Sequence, residues 1–289
     1  MFRALIKSMR PRQWTKNAFV LAAVVFDRQL TNPAALSSAL IAFGLFCFIS
    51  SVVYLINDIT DRHEDRLHPT KKDRPIASGE LPVSIAGAAA ALIVIITLPI
   101  AYALYPTFAY IAFAYLLINL AYSRWLKHIP LIDVLIIATG FVLRVAAGVS
   151  VIHVERFSPW LYVVTTLFAL YIGFGKRRAE LTLSTGSANQ ARRVLNGYTI
   201  PFLDQLIVIV SAATILSYSL YTFSAPNLPD NHAMMLTIPF VVYGIFRYLY
   251  LIQVAQEGGA PEELLLSDRP LQAVILLWGI SVLLIFYIF

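Results

Sequence analysis

Three carboxylates crowd into the run Asn57-Asp58-Ile-Thr-Asp61-Arg62-His63-Glu64-Asp65. Asp58, Asp61 and Asp65 are spaced i, i+3, i+7, which on an α-helix puts all three on one face, with Asn57 one turn ahead of Asp61. Like charges this close repel one another unless a cation neutralises them. An oxygen-only donor set suits Mg²⁺, which keeps part of its water shell and recruits phosphate oxygens from a substrate. The plainer interpretation is a solvated acidic helix end. It fits poorly, because the cluster follows directly on an apolar stretch and is trailed by His68, Lys71, Lys72 and Arg74, a mixed field suited to a metal-bound diphosphate.

A second set of polar residues lies further along. Arg144 falls deep inside an apolar stretch, on one helical face with Asp133, Gly140 and Gly148. A guanidinium at that depth is costly and faces a protein interior, a cavity or an acidic partner. Arg144 is therefore either a contact for an anionic substrate or half of a structural ion pair. Arg247 lies nearer the end of its stretch and has the reach to snorkel. The run Lys176-Arg177-Arg178 is in many proteins a membrane-surface anchor; here Glu180 follows Lys176 at i+4 and is placed to orient it. The histidines at 63, 68, 128, 153 and 232 lack metal-ligand spacing, which argues against zinc, and the lone Cys47 reads as a small core residue.

The elements that must carry these residues are membrane helices. Of 289 residues 59% are apolar and 13% charged, where soluble domains run near a quarter charged, so a soluble globular enzyme is excluded. Apolar stretches at about 13–30, 34–56, 83–104, 107–122, 131–150, 159–174, 201–222, 236–255 and 271–288 predict nine transmembrane helices, each near the length a hydrocarbon core requires. Eighteen of the 22 Lys and Arg fall at the N-terminus or in the loops 57–82, 123–130, 175–200 and 256–270, against Arg28 and Arg156 on the other side. The positive-inside rule then makes the N-terminus cytoplasmic and Phe289 external, and puts the chemistry at the cytoplasmic face of the cell membrane. The same bias explains the net charge of +6 as topology, so no nucleic-acid partner is expected. Residues 1–12 lack a signal-peptide cleavage pattern and place Phe2, Leu5, Ile6 and Met9 at i, i+3, i+4, i+7, which predicts an amphipathic helix on the cytoplasmic leaflet. The whole of 1–289 reads as one domain.

The pattern Asn57-Asp58-x-x-Asp61-x-x-x-Asp65, continuing into His68-Pro69-x-Lys71-x-x-Arg74-Pro75-Ile76-Ala77-Ser78-Gly79, resembles the first aspartate-rich motif of the UbiA superfamily of intramembrane prenyltransferases. The resemblance implies an all-α bundle of nine membrane helices around a central cavity. The family's second motif matches Tyr122-Ser123-x-x-x-Lys127-x-x-x-x-x-Asp133, where Asp133 stands alone instead of among several aspartates and Lys127 supplies a cation. Three further segments, Arg10-Pro11-Arg12-Gln13-Trp14-Thr15-Lys16-Asn17, Lys176-Arg177-Arg178-Ala179-Glu180 and Asp268-Arg269-Pro270-Leu271, resemble a branch of the superfamily that transfers phosphoribose to decaprenyl phosphate.

That resemblance implies Mg²⁺ held by Asn57, Asp58, Asp61 and Asp65, with Asp58 and Asp61 central to catalysis. It implies 5-phosphoribose 1-diphosphate as donor and a polyprenyl phosphate, its tail in the membrane lipid, as acceptor. Lys16, Asn17, Arg74, Tyr122, Lys127, Asp133, Arg144, Lys176 and Arg177 are the expected substrate contacts. The alternative in the same fold is transfer of a prenyl group to an aromatic quinone precursor, whose flatter, less charged acceptor asks for fewer cations. A transporter would also use an intramembrane arginine, but no inverted repeat is visible in the chain.

Overall fold

Proline and polar caps cut the chain into helices. Asn32 caps α3 (Pro33–Thr60), its side chain accepting from the backbone N–H groups of Ala34 and Ala35, with Pro33 at the first helical position. Thr199 does the same for α10 (Ile200–Ser224) and Asp268 for α12 (Arg269–Tyr287). In a computed structural model, which describes residues 1–67, 71–154, 158–184, 193–226, 228–255, 264 and 267–288, the other helices are α1 (Phe2–Met9), α2 (Ala22–Phe26), α4 (Arg62–Leu67), α5 (Pro75–Ser78), α6 (Val83–Leu104), α7 (Pro106–Arg124), α8 (Ile132–Val149), α9 (Trp160–Ser184) and α11 (Ile238–Gln253). The described residues contain no strand. His68 and Arg156 lie outside the described residues.

Seven helices among the described residues are long and apolar enough to cross a bilayer: α3, α6, α7, α8, α10, α12, and α11 together with the 3₁₀ turn that leads into it. The chain is a multi-pass membrane protein. The other two expected spans are helical but different in kind. The stretch predicted over 13–30 is a 3₁₀ helix, Pro11–Leu21, running into the short α2. Its first half, Gln13-Trp14-Thr15-Lys16-Asn17, carries polar groups that a plain membrane span would not bury. The sixth span is the 25-residue α9, whose apolar portion is interrupted by Thr165 and Thr166 and ends in Lys176-Arg177-Arg178.

The chain packs as two compact units, Met1–Lys127 with Gly140–Val154 and His128–Thr139 with Glu155–Phe289, so α8 contributes its first turns to the second and its remainder to the first. The core of the first unit joins Phe46, Ile49, Val52 and Leu55 of α3 to Phe108, Ala112 and Tyr115 of α7 and to alanines of α6. Small residues let α6 approach α3 closely, the way membrane helices gain contact without a hydrophobic driving force. The second core gathers Val134, Tyr171, Leu203, Ile207, Ile245 and Tyr248. Exposed apolar side chains such as Leu92, Ile95 and Ile96 on α6 and Val208, Ile209 and Leu216 on α10 are the lipid-facing surface.

α1 departs from its expected facing. Ala4 and Ser8 are its fully buried residues, while Phe2 and Ile6 are exposed, because α1 packs its small residues against the protein. Leu5 and Met9 join the first core, and Phe2 and Ile6 remain for the interface with lipid.

Candidate active site

The first acidic centre is built from one helix end and three cations, two of them distant in sequence. α3 ends at Thr60 and Asp61 caps it, yet the hydrogen bonds continue across the joint, from Asp61 N–H to the Asn57 carbonyl at 2.9 Å and from Asp65 N–H to the Asp61 carbonyl at 2.8 Å. Helical register is thus kept into α4, and Asp58 and Asp65 share a face. Arg74 bridges them: its Nη1 lies 3.2 Å from Asp58 Oδ1 and 2.7 Å from Asp65 Oδ2. The motif that follows explains how Arg74 is placed. Pro75 starts the one-turn α5, whose residues Pro75, Ile76 and Ala77 are buried, and Arg66 Nε donates to the Ala77 carbonyl at 2.8 Å, so Arg74 stands at the N-terminus of an anchored turn.

Arg10 also reaches Asp58 Oδ1, at 2.5 Å, and lies over the Tyr54 ring with 5.1 Å to its centroid. Lys127 Nζ pairs with Asp61 Oδ1. Three carboxylates therefore face three cations, and the pairs made by Arg10 and Lys127 join residues that sequence spacing alone did not connect. Asp58 and Asp65 are almost wholly buried, whereas Arg10 and Arg74 are about a quarter exposed. Among the described residues no three acidic, histidine or cysteine side chains converge on a metal-sized point; the carboxylates are turned to their cations. Asn57 Oδ1 is buried with no hydrogen-bond partner among the described residues. An orphaned hard oxygen in the same short motif as three carboxylates is a donor chemistry that fits Mg²⁺.

Asn17 and Arg144 meet in a buried network of the first unit. Arg144 donates from Nε to Asn17 Oδ1 at 2.9 Å, from Nη1 to the Gly140 carbonyl at 2.7 Å and from Nη2 to the Tyr115 hydroxyl at 2.9 Å. Its guanidinium also lies over the rings of Phe46, Tyr115 and Phe141. Asn17 spends its amide nitrogen on Ser50 Oγ at 2.9 Å and Cys47 Sγ at 3.3 Å. This polar set ties the Pro11–Leu21 segment to α3, α7 and α8. Lys16 and Tyr122, two other expected substrate contacts, are both half-buried.

The second unit has its own carboxylate centre at Asp133, which is fully buried in the first turn of α8. Arg177 Nε donates to Asp133 Oδ2 at 2.6 Å and the Tyr198 hydroxyl donates to Oδ1 at 2.7 Å. Arg177 Nη1 also reaches Glu180 at 2.6 Å. Glu180, expected to orient Lys176, instead serves Arg177, whose three-residue offset brings the fork to the carboxylate. Lys176, half-buried, has no side-chain partner among the described residues. Tyr198 accepts in turn from the Leu131 N–H at 2.6 Å. Burial and the Asp133 carboxylate push its hydroxyl far above the ordinary phenol range, so it stays a proton donor. Gly197 makes this contact reachable, because a Cβ there would meet Pro130 Cγ at 2.3 Å.

Tyr198 and Arg10 were not among the expected site residues. Tyr198 lies 65 residues from Asp133, and no local pattern marks it. Arg10 carried a signal in its place beside Pro11, between an amphipathic helix and a polar stretch. Arg247 and Asp268 pair at 2.6 and 3.2 Å. The Arg247 guanidinium and the Leu271 N–H hold the Asp268 carboxyl below the usual carboxylate range, which explains the Asp268-Arg269-Pro270-Leu271 motif as a charged helix cap.

Residues 18–180 match the model of the UbiA prenyltransferase family. A decaprenyl-phosphate phosphoribosyltransferase of Corynebacterium glutamicum is 33% identical over 98% of this chain and 87% of its own length. One of Mycolicibacterium smegmatis is 35% identical over 95% of this chain and 89% of its own. The solved structure of a UbiA homologue from Archaeoglobus fulgidus, bound to DMAPP and Mg²⁺, superposes with a TM-score of 0.74 over 99% of both chains at 19% identity, which is a likeness of fold. With the aspartate motif, the helical fold and full-length relatives in agreement, the chain belongs to the UbiA prenyltransferase family of membrane transferases.

Proposed function

We propose that this protein transfers 5-phosphoribose from 5-phosphoribose 1-diphosphate to a polyprenyl phosphate of the decaprenyl type at the cytoplasmic face of the membrane, releasing diphosphate. The observation that carries this reading is the set of cations, Arg10, Arg74 and Lys127, assembled on the carboxylates of Asp58, Asp61 and Asp65. Substrates that bring a diphosphate, a 5-phosphate and an acceptor phosphate need such a gathering of phosphate-binding side chains. The identity of 33 to 35% to relatives named for this transfer supports the same reading.

Asn57, Asp58, Asp61 and Asp65 are the residues that would hold Mg²⁺. When bound, the ion neutralises charge building on the leaving diphosphate. An oxygen of the acceptor phosphate attacks the ribosyl C1 as the bond from C1 to the diphosphate oxygen breaks, and the bonding pair leaves with the diphosphate. The acceptor is already anionic at neutral pH, so the site must orient it more than deprotonate it. Arg74 and Lys127 take the donor's phosphates. Lys16, half-buried on the Pro11–Leu21 segment of the same unit, takes one of the remaining phosphates. Arg177 serves indirectly, by fixing Asp133 and the first turn of α8. Eighteen of 22 cations lie in segments that the positive-inside rule assigns to the cytoplasm, which supports this orientation.

Thermal protection tests this reading, since a ligand bound to the native state alone raises its unfolding temperature. In Mg²⁺, 5-phosphoribose 1-diphosphate is expected to stabilise the purified protein and 4-hydroxybenzoate to leave it unchanged. Protection by 4-hydroxybenzoate with none from the ribosyl donor would instead favour aromatic prenyl transfer.

A further inference from the structure

Arg10 is the residue of the acidic centre whose backbone is in a sparsely populated conformation. Its φ of 55° and ψ of 63° are left-handed, a region that a side chain with a Cβ occupies only where its surroundings hold it. Here they hold it at both ends. The Arg10 N–H closes α1 on the Lys7 carbonyl at 3.2 Å, and its own carbonyl accepts from Gln13 N–H at 2.8 Å to open the 3₁₀ segment. The conformation aims the guanidinium at Asp58, where Nη2 makes the one side-chain hydrogen bond that Arg10 has among the described residues. An arginine has five N–H donors, so most of this fork is uncommitted, and the side chain is about a quarter exposed.

Asp58 itself is 2% exposed and covered by two guanidinium groups. A divalent ion reaches that carboxylate by displacing them. The named side chains of the centre, three anions and three cations, sum to zero. A metal arriving alone leaves two positive charges in excess, and a diphosphate arriving alone leaves an excess of negative charge. Arriving together, they exchange partners with the ion pairs: metal to carboxylate, guanidinium to phosphate.

We propose that Arg10 is a ligand for the donor's diphosphate, parked on Asp58 until a divalent metal takes that carboxylate, so that metal and diphosphate bind cooperatively. This rests on the diphosphate chemistry proposed above and adds a residue and a binding order to it. The bidentate, always-charged fork suits a phosphate whose oxygens are partly neutralised by metal.

The test uses the full-length protein in detergent, with Mn²⁺ as a spectroscopically visible probe and a preformed Mn²⁺–pyrophosphate complex as the second ligand, comparing wild type with Arg10→Gln, Arg10→Lys and the exposed neighbour Arg3→Gln. The signature is two shifts of opposite sign. Arg10→Gln is expected to bind Mn²⁺ alone about fivefold or more tighter, because a competing cation has gone, and the complex about tenfold weaker, because a charge-assisted phosphate contact has gone. Arg10→Lys should recover part of the affinity for the complex, and Arg3→Gln should match wild type. Damage to the fold would weaken both ligands together, and that result, or no change in either, overturns the role of Arg10. Wild-type protein that fails to bind the complex overturns both this proposal and the diphosphate reading beneath it.

Discussion

At the residue scale, buried carboxylates stabilised by internal cations set what a substitution will do. Asp58 accepts from Arg10 and Arg74 at once, and Asp61 holds Lys127. Replacing either by Asn keeps the shape and removes the charge on which the proposed binding of metal and diphosphate depends. Asp58→Asn and Asp61→Asn are each expected to lose at least about 10²-fold in turnover, the scale for deleting a group that stabilises developing charge. Excess chelator should abolish diphosphate release by the wild type. Full activity in chelator would contradict the assignment, and unfolding curves measured alongside separate loss of chemistry from loss of fold. The aspartates and Arg74 were legible because their spacing and the turn that follows are local. Arg10 on Asp58 and Tyr198 on Asp133 were not, since pairs 48 and 65 residues apart are made by tertiary packing.

At the element scale, the segment Pro11–Leu21 is the part of the fold that sequence periodicity described least well. Its unbroken apolar run begins only at Ala18, so a window centred on 20 reports a membrane span while Pro11–Leu21 folds as a 3₁₀ helix. Asn17 fastens that half through Arg144, and α8 closes on it at Gly148, where an added Cβ would lie 1.9 Å from the Val20 carbonyl oxygen. Backbone cannot yield as a side-chain tip would. Gly148→Ala is therefore expected to destabilise the protein by about 3 kcal/mol, the upper end for overpacking, and to weaken thermal protection by the donor, because Arg10 and Lys16 ride on the displaced segment. Gly279, with open space around its Cβ position, supplies the control: Gly279→Ala should unfold like wild type. Gly148→Ala with unaltered melting and donor protection would show that the segment is not held this way. The long helices, by contrast, follow from apolar length and from caps such as Asn32-Pro33 and Asp268-Arg269-Pro270, all of them short-range signals.

At the scale of the whole molecule, the proposed transfer poses one problem: joining a water-soluble phosphorylated sugar to a lipid. Positive charge concentrated in particular segments, apolar helices with lipid-facing Leu, Ile and Val, and an acidic centre stocked with cations are what that problem requires. What the sequence left open was how the chain divides its packing. α8 serves two units, Asp133 in one and Arg144 in the other, although both residues lie on one stripe of one helix. The central claim is the identity of the transferred group. The measurement that tests it most directly is incubation of the purified protein with 5-phosphoribose 1-diphosphate labelled in the ribose, decaprenyl phosphate and Mg²⁺, followed by mass analysis of the lipid fraction. The account predicts label in a lipid heavier by one phosphoribosyl group, with one diphosphate released for each. An unlabelled lipid fraction, alongside prenylation of an aromatic acid by the same preparation given a polyprenyl diphosphate, would contradict it.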